Sequence, residues 1–212
     1  VWKSPWDFTL KQAARTPAFW LISLGVLLAF LPANFLNSQQ VVYMTGDLGV
    51  DPLDAARIAG LVTGVSIVGR VGIGLLGDFL ETRFLGVLSI AIMAIGAIIF
   101  WQARLALTLI LVLYPVIYGL GYGALIILLP LIMANYFGVK HYATILGAVF
   151  PVISVIGAAA APLAGFIYDH RGSYDLVFAI TIVLAFVGAI LFSLAVPPQM
   201  VRVERARNSV KI

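Results

Sequence analysis

Apolar residues run along this chain in six long blocks, about 17 to 44, 54 to 78, 83 to 103, 105 to 135, 143 to 168 and 174 to 196, with charges and turn formers gathered between them. Each block is long enough to cross a hydrocarbon layer of about 30 Å as a helix. The pattern predicts six transmembrane helices with short joins. Thr16-Pro17 reads as an N-cap with proline at the first helical position, and Asp51-Pro52-Leu53-Asp54 repeats the device with an acid in the first turn. Gly172-Ser173-Tyr174-Asp175 is expected to start the sixth helix in the same way. Pro32, Pro115, Pro130, Pro151 and Pro162 fall inside blocks, where each removes a backbone hydrogen bond and is expected to kink its helix.

Composition makes the class firm. With 62% apolar and 10% charged residues in 212, and a mean hydropathy of +1.08, the chain has more apolar surface than a soluble domain can hide. It reads as an all-α, polytopic membrane protein whose solvent is the lipid bilayer. No cysteine is present, which excludes disulfides, thiolate metal sites and a cysteine nucleophile. The net charge of +4 comes from basic residues scattered between apolar runs, not from a nucleic-acid patch.

Counting Lys and Arg by side orients the bundle. An inside N terminus places Lys3, Lys11, Arg15, Arg83, Lys140, Arg202, Arg205, Arg207 and Lys211 in the cytosol and leaves Arg57, Arg104 and Arg171 outside. Both ends then lie in the cytosol, and the cell (inner) membrane is the expected location. Residues 1–16 read as a short interfacial helix with Trp6, Leu10 and Ala13 or Ala14 on one side, or as a solvated linker. Residues 17–196 form the bundle and 197–212 a basic cytosolic tail. The absence of a methionine at Val1 suggests a fragment of a longer protein.

A repeat organises the bundle. Gly74-LLG-Asp78 closes the second block and Gly165-FIY-Asp169 closes the fifth, at equivalent helix ends three blocks apart. Three is odd, so the two copies, about 17–103 and 105–196, point in opposite directions. Inverted repeats of this kind place a substrate site near the midplane between them.

One residue resists the apolar pattern. Arg70 lies eight residues before Asp78, so at about 1.5 Å per residue it sits roughly 12 Å deep, where insertion scales charge about 2.5–3.5 kcal/mol for a guanidinium. No other block interior carries Asp or Glu. The guanidinium presents a planar fork suited to a carboxylate. An ion pair with a neighbouring helix, or snorkelling toward the cytosol, is the structural alternative. Thr63 and Ser66 precede Arg70 on the same helical face, and Asn34, Asn37 and Ser38 form a second polar stripe past Pro32. Tyr114, Tyr118 and Tyr122 recur every fourth residue beside Gly119, Gly121 and Gly123, as a packing stripe or a binding wall. His141 and His170 fall in joins, away from any expected proton pathway.

Taken together, Asp7-FTLKQAARTPAFW, Gly46-DLGVDPLDAARIAGLVTGVSIVGRVGIGLLGD, Ala134-NYFGVKHYATILGAVFPV and Pro162-LAGFIYDHRGSYDLVF resemble the C-terminal six-helix half of a major facilitator superfamily transporter, most like the monocarboxylate and oxalate/formate carrier branches. The resemblance implies an absent N-terminal six-helix half, with the substrate pathway between the two. It implies that the join after the second block is a gating loop of the form Gly-x-x-x-Asp-Arg-x-Gly-Arg, matched by Gly74, Asp78 and Arg83, with Phe79 in place of the first arginine. It also implies that Arg70, following a glycine, binds a substrate carboxylate. Oxalate carriers have a second cation in the fifth helix of this half; its absence here points to a monovalent anion. Proton symport is implied by one branch and exchange for a counter-anion by the other.

The expected function is therefore secondary active transport of small organic anions by alternating access. Arg70, Ser66, Thr63, Asn34, Asn37, Tyr118 and Tyr122 are the expected substrate-binding residues, and Gly74, Asp78, Arg83 and Asp169 the gating ones. An exporter of neutral or cationic compounds with a structural Arg70 is the alternative. A membrane enzyme or receptor subunit is more remote, for want of metal-spaced histidines, paired intramembrane carboxylates or a nucleophile with its base. No cofactor, metal or nucleic acid is expected.

Overall fold

The computed structural model describes residues 1–198, and the basic cluster from Arg202 to Lys211 lies outside them. The described residues are helical throughout the bundle and contain no strand. Six segments are long and apolar enough to cross a membrane: Pro17–Gly46, Pro52–Leu76, Thr82–Arg104, Leu111–Phe137, Tyr142–Arg171 and Asp175–Ser193. In chain order the helices are α1 (Leu10–Ala13), α2 (Pro17–Gly46), α3 (Pro52–Leu76), α4 (Thr82–Trp101, extended by a 3₁₀ turn, Gln102–Arg104), α5 (Leu107–Phe137), α6 (Tyr142–Ala158), α7 (Ala160–Arg171) and α8 (Asp175–Ser193).

Two expected caps form. The Thr16 hydroxyl accepts the Phe19 N–H at 3.3 Å, and Asp51 accepts the Leu53 N–H at 2.9 Å, each ahead of a proline that needs no acceptor for its own nitrogen. The third differs. Tyr174, not a small polar residue, precedes α8 and makes no side-chain cap, while Gly172 at φ +67° ends α7 in the left-handed conformation that glycine tolerates best.

The fifth span is two helices, α6 and α7, meeting at Ala159. The cause is Pro162, which has no N–H to give the Ala158 carbonyl and whose ring crowds that carbonyl. It therefore breaks the span and occupies the first turn of α7, whereas Pro151 is retained inside α6 and Pro32, Pro115 and Pro130 inside α2 and α5. Within residues 1–16 the helical part is short. Only one turn, α1, is helical, closed by a capping box between Thr9 and Gln12. Pro5 lacks an N–H and biases Ser4 toward extended backbone, so residues 1–9 run as a strap.

Helix α5 is the axis of the bundle. Tyr114, Tyr118, Leu125, Leu128, Leu129, Ile132, Met133, Tyr136 and Phe137 along it are buried, packed by α3 on one side and α4 on the other. The joins alternate between two faces. The strap, the α3–α4 join, the α5–α6 join and the residues after α8 meet at one face, shown by Trp2 N–H to Glu81 (2.9 Å), Phe8 N–H to the Phe137 carbonyl (2.8 Å) and the Tyr136 hydroxyl to the Ala195 carbonyl (3.0 Å). The α2–α3, α4–α5 and α7–α8 joins meet at the other, where Arg104 reaches Asp47 and Trp101 reaches Asp175. Asp78 and Asp169, the two ends of the repeated motif, thus lie on opposite faces, as inverted three-helix repeats require.

Burial is uneven. Along their most apolar stretches, α3 and α6–α7 have only 22% of residues buried, against 50–56% for α2, α4 and α5. Leu61, Ile67, Val68, Val71 and Leu75 of α3, and Phe150, Val152, Val155, Leu163 and Phe166 of α6–α7, form the open apolar faces.

Candidate functional site

Arg70 sits at the margin of the buried face of α3, whose inward residues are Ala55, Val62, Ser66, Gly69 and Ile73. Helical spacing predicts that stripe, but its tightness comes from glycine. A Cβ on Gly69 would run into the Leu120 carbonyl, with the carbonyl carbon at 3.0 Å; one on Gly119 would lie 2.9 Å from the Val62 oxygen; one on Gly123 would meet the Ser66 carbonyl, its carbon at 2.7 Å. The α3 and α5 backbones are therefore in direct contact. The residue that precedes Arg70 is the one pressed on α5.

The guanidinium itself is unpaired. Arg70 is half-buried, its Nε is enclosed without a hydrogen-bond acceptor, and it makes no ion pair among the described residues. A buried donor left without a partner costs on the order of 1–3 kcal/mol, more on a charged group. The polar neighbours do not relieve it. The Ser66 hydroxyl is fully buried in the α3–α5 seam and donates to the Thr63 carbonyl at 2.7 Å, and exposed Thr63 donates to the Ala59 carbonyl at 3.2 Å. Both protons stay on their own helix.

The second expected stripe is built between α2 and α5. Asn37 Nδ2 donates to the Ala33 carbonyl (2.8 Å) and to the Tyr118 hydroxyl (3.2 Å), and Tyr118 in turn donates to the Ala33 carbonyl (3.1 Å). One turn along, the Tyr114 hydroxyl donates to Gln40 Oε1 at 2.8 Å. Tyr114, Tyr118 and Tyr122 stack as a ladder, with ring centroids 5.3 and 5.9 Å apart. Tyr118 is wholly enclosed by this network, and Tyr122, at its end, is half-buried. Asn34 donates to the Phe30 carbonyl at 2.8 Å and lies against Gly157, near the α6–α7 break.

Of the expected gating residues, Asp78 lies 3.9 Å from Lys3, both well exposed, and the Arg83 guanidinium sits 4.9 Å above the Phe84 ring. Gly74 borders open space, and Asp169 is near the end of α7 on the opposite face. Gly74, Asp78 and Arg83 thus flank the α3–α4 join, and Asp169 lies at the other face.

Three features escaped the sequence reading. Gln40 pairs with a tyrosine 74 positions away. The glycines of the α3–α5 seam identify themselves only through their partners. On the face away from the strap, Arg104 donates to Asp47 at 3.2 Å, the Asp47 side chain being only 8% exposed, while Trp101 Nε1 donates to Asp175 at 2.7 Å and Tyr174 to Gln39 at 3.3 Å. Burial pushes the Asp47 carboxyl above its ordinary range, and the Arg104 guanidinium pulls against that shift.

Comparison with known proteins bears on what such a half-bundle does. Residues 5–211 match the family described as Major Facilitator Superfamily. Similar proteins include MFS-type transporter 1 of Ophiocordyceps sp. (strain BCC 1869), 27% identical over 171 residues, covering 80% of this chain and 37% of that protein. Monocarboxylate transporter 13 of Rattus norvegicus is 30% identical over 148 residues (69% and 34%), and monocarboxylate transporter 12 of Xenopus laevis 28% over 158 residues (72% and 34%). The chain spans about a third of the length of these curated relatives.

Proposed function

Because this chain belongs to the major facilitator superfamily, we propose that it serves as one half of a secondary carrier for small organic anions, with Arg70 gripping the substrate carboxylate during alternating access. The observation that carries this reading is the enclosed, unpartnered Nε of Arg70. A permanent cation without a counter-charge among the described residues fits a site completed by a ligand. The names of two similar proteins, both monocarboxylate transporters, lean the same way.

The open faces of α3 and α6–α7 are proposed to meet the other six-helix half, leaving Arg70 beside the pathway between the halves. Tyr122, Asn34 and Thr63 are the proposed cavity-side neighbours, with Ser66, Asn37 and Tyr118 fixing their helices from behind. The strap face is assigned to the cytosol by its Lys and Arg excess, with residues 197–212 as a basic cytosolic tail and the cell membrane as the location. Gly74, Asp78 and Arg83 would then act at the cytosolic mouth and Asp169 at the outer one. Driving force would come from protons or a counter-anion.

Uptake and binding in the intact two-half protein test the grip. Arg70→Gln is expected to weaken anion binding about 10- to 100-fold, the worth of one charged hydrogen bond of about 1.5–3 kcal/mol. Arg70→Lys keeps charge but not the fork, and should recover little. Unchanged uptake kinetics in both variants would refute the assignment. An exporter of neutral or cationic compounds would leave Arg70 structural, and competition by lipophilic cations but not by carboxylates would select it.

A further inference from the structure

Helix α6 begins without the groups that normally start a helix. Its N-cap, His141, makes no side-chain cap, and its first turn carries no acid. The chain arrives there through Gly138 at φ +81°, so several backbone N–H groups at the turn lack helical acceptors. One of them is satisfied from far away in sequence. The Lys140 N–H, in the turn just ahead of the His141 N-cap, donates to Asp7 Oδ1 at 3.0 Å, which sets a carboxylate beside the positive end of the α6 dipole.

Asp7 is held there by the strap. Trp2 N–H donates to Glu81 Oε1 (2.9 Å), Ser4 N–H to the Asn135 carbonyl (2.7 Å) and Phe8 N–H to the Phe137 carbonyl (2.8 Å). Trp2 packs edge-on against Tyr136 and Phe8 against Phe137, each with centroids 5.7 Å apart, and Phe8 is fully buried. The strap lies directly on Gly138. A Cβ there would stand 2.6 Å from the Trp6 carbonyl oxygen and as close to Asp7, so the glycine serves both its positive φ and the strap's seat. Residues 1–9 thus tie the start of α4, the end of α5 and the start of α6.

We propose that residues 1–9 are a clasp and that Asp7 is a positioning residue, holding the turn that leads into α6 and so setting the pose of α6–α7 against the rest of the bundle. The consequence for transport rests on the carrier reading above; the hold on the turn does not. When the strap is seated, α6 is anchored to α4 and α5 at this face. When it lifts, the turn loses its carboxylate partner and α6 its tether together, and the interruption at Ala159 lets α6 bend against α7.

The test uses the full natural chain in lipid nanodiscs, comparing Asp7→Ala, Asp7→Asn and Asp7→Glu by amide hydrogen exchange. Loss of one hydrogen bond worth about 1 kcal/mol should speed exchange over residues 139–146 about fivefold in the Ala and Asn variants, with α8 unchanged and partial rescue by Glu. Equal exchange in wild type and Asp7→Ala, or Glu behaving like Ala, would overturn this positioning role. Tying the strap down with a Ser4→Cys, Asn135→Cys disulfide should then slow turnover while leaving anion affinity intact, and reduction should restore it. Unchanged turnover would overturn the coupling to transport. A result in which the exchange pattern holds but the carrier binds no anion would sink the transport reading alone.

Discussion

Replacing Gly123 with alanine adds one methyl group where the α3 and α5 backbones touch. The new Cβ would meet the Ser66 carbonyl, whose carbon lies 2.7 Å away, and ordinary contact begins at 3.4 Å. The helices must therefore separate by at least about 0.7 Å, because the obstacle is backbone and cannot rotate aside. Overpacking of this kind costs about 1–3 kcal/mol, which in a chain of this length corresponds to roughly 2–12 °C in melting temperature. Lipid supplies no hydrophobic drive to hold the helices together once their contact is lost. The displacement is carried by the turn that bears Arg70, so anion affinity should fall along with stability. Gly46 is the control: it ends α2, away from the seam, and a Cβ there has nothing within 4 Å. Thermal melts and anion binding in matched detergent should show Gly123→Ala impaired in both and Gly46→Ala in neither. Equal behaviour of the two variants would refute the seam as the element that positions Arg70.

Tyr114→Phe removes the donor to Gln40 Oε1 in a buried pair and should cost about 1–3 kcal/mol, whereas Gln40→Leu combined with Tyr114→Phe should recover much of it; melting temperatures of the cycle decide, and a lossless Tyr114→Phe would contradict the bond. Asp47 gives a pH signature. Burial raises its carboxyl in the folded state, so the fold contributes stability below the unfolded carboxylate value and loses it as pH rises through the folded one. Stability should therefore increase on acidification from neutral, Asp47→Asn should flatten that increase, and Arg104→Gln, which removes the opposing charge, should move it to higher pH. A melting profile in which Asp47→Asn keeps the wild-type slope would discard this account.

What was legible in the sequence is what depends on local periodicity and end chemistry. Six apolar blocks and the Thr16 and Asp51 caps need only the helix repeat and a small polar residue before proline, and both appear within about three residues of their expected bounds. The division at Ala159 was written in Pro162, but a proline inside a span kinks or breaks according to whether its lost hydrogen bond is made good elsewhere, which is a tertiary matter. Gln40 with Tyr114, and Asp47 with Arg104, join residues 74 and 57 positions apart, and nothing in either stretch alone identifies the other. The strap was the least legible. Its backbone bonds are made to the ends of other helices, so its conformation follows from them and not from its own pattern.

The seam and the unpartnered cation explain each other. A guanidinium on a yielding helix would turn until it found a carbonyl or a neighbour's side chain, and its insertion cost would be relieved without any ligand. Helix α3 cannot turn in that way, because the Val62 and Ser66 carbonyls press on Gly119 and Gly123 of α5, and the Leu120 carbonyl of α5 presses on Gly69, so any rotation would drive side chains into the gap. Its other flank is open, with Ile67, Val68 and Val71 exposed and offering no acceptor. The frame therefore holds Arg70 half-buried, with Nε enclosed and without an acceptor. In the proposed carrier this would be preorganisation: the cost of the unsatisfied charge is carried by rigid helix packing before a ligand arrives, so that pairing with an anion would be realised as affinity and not as reordering of the site.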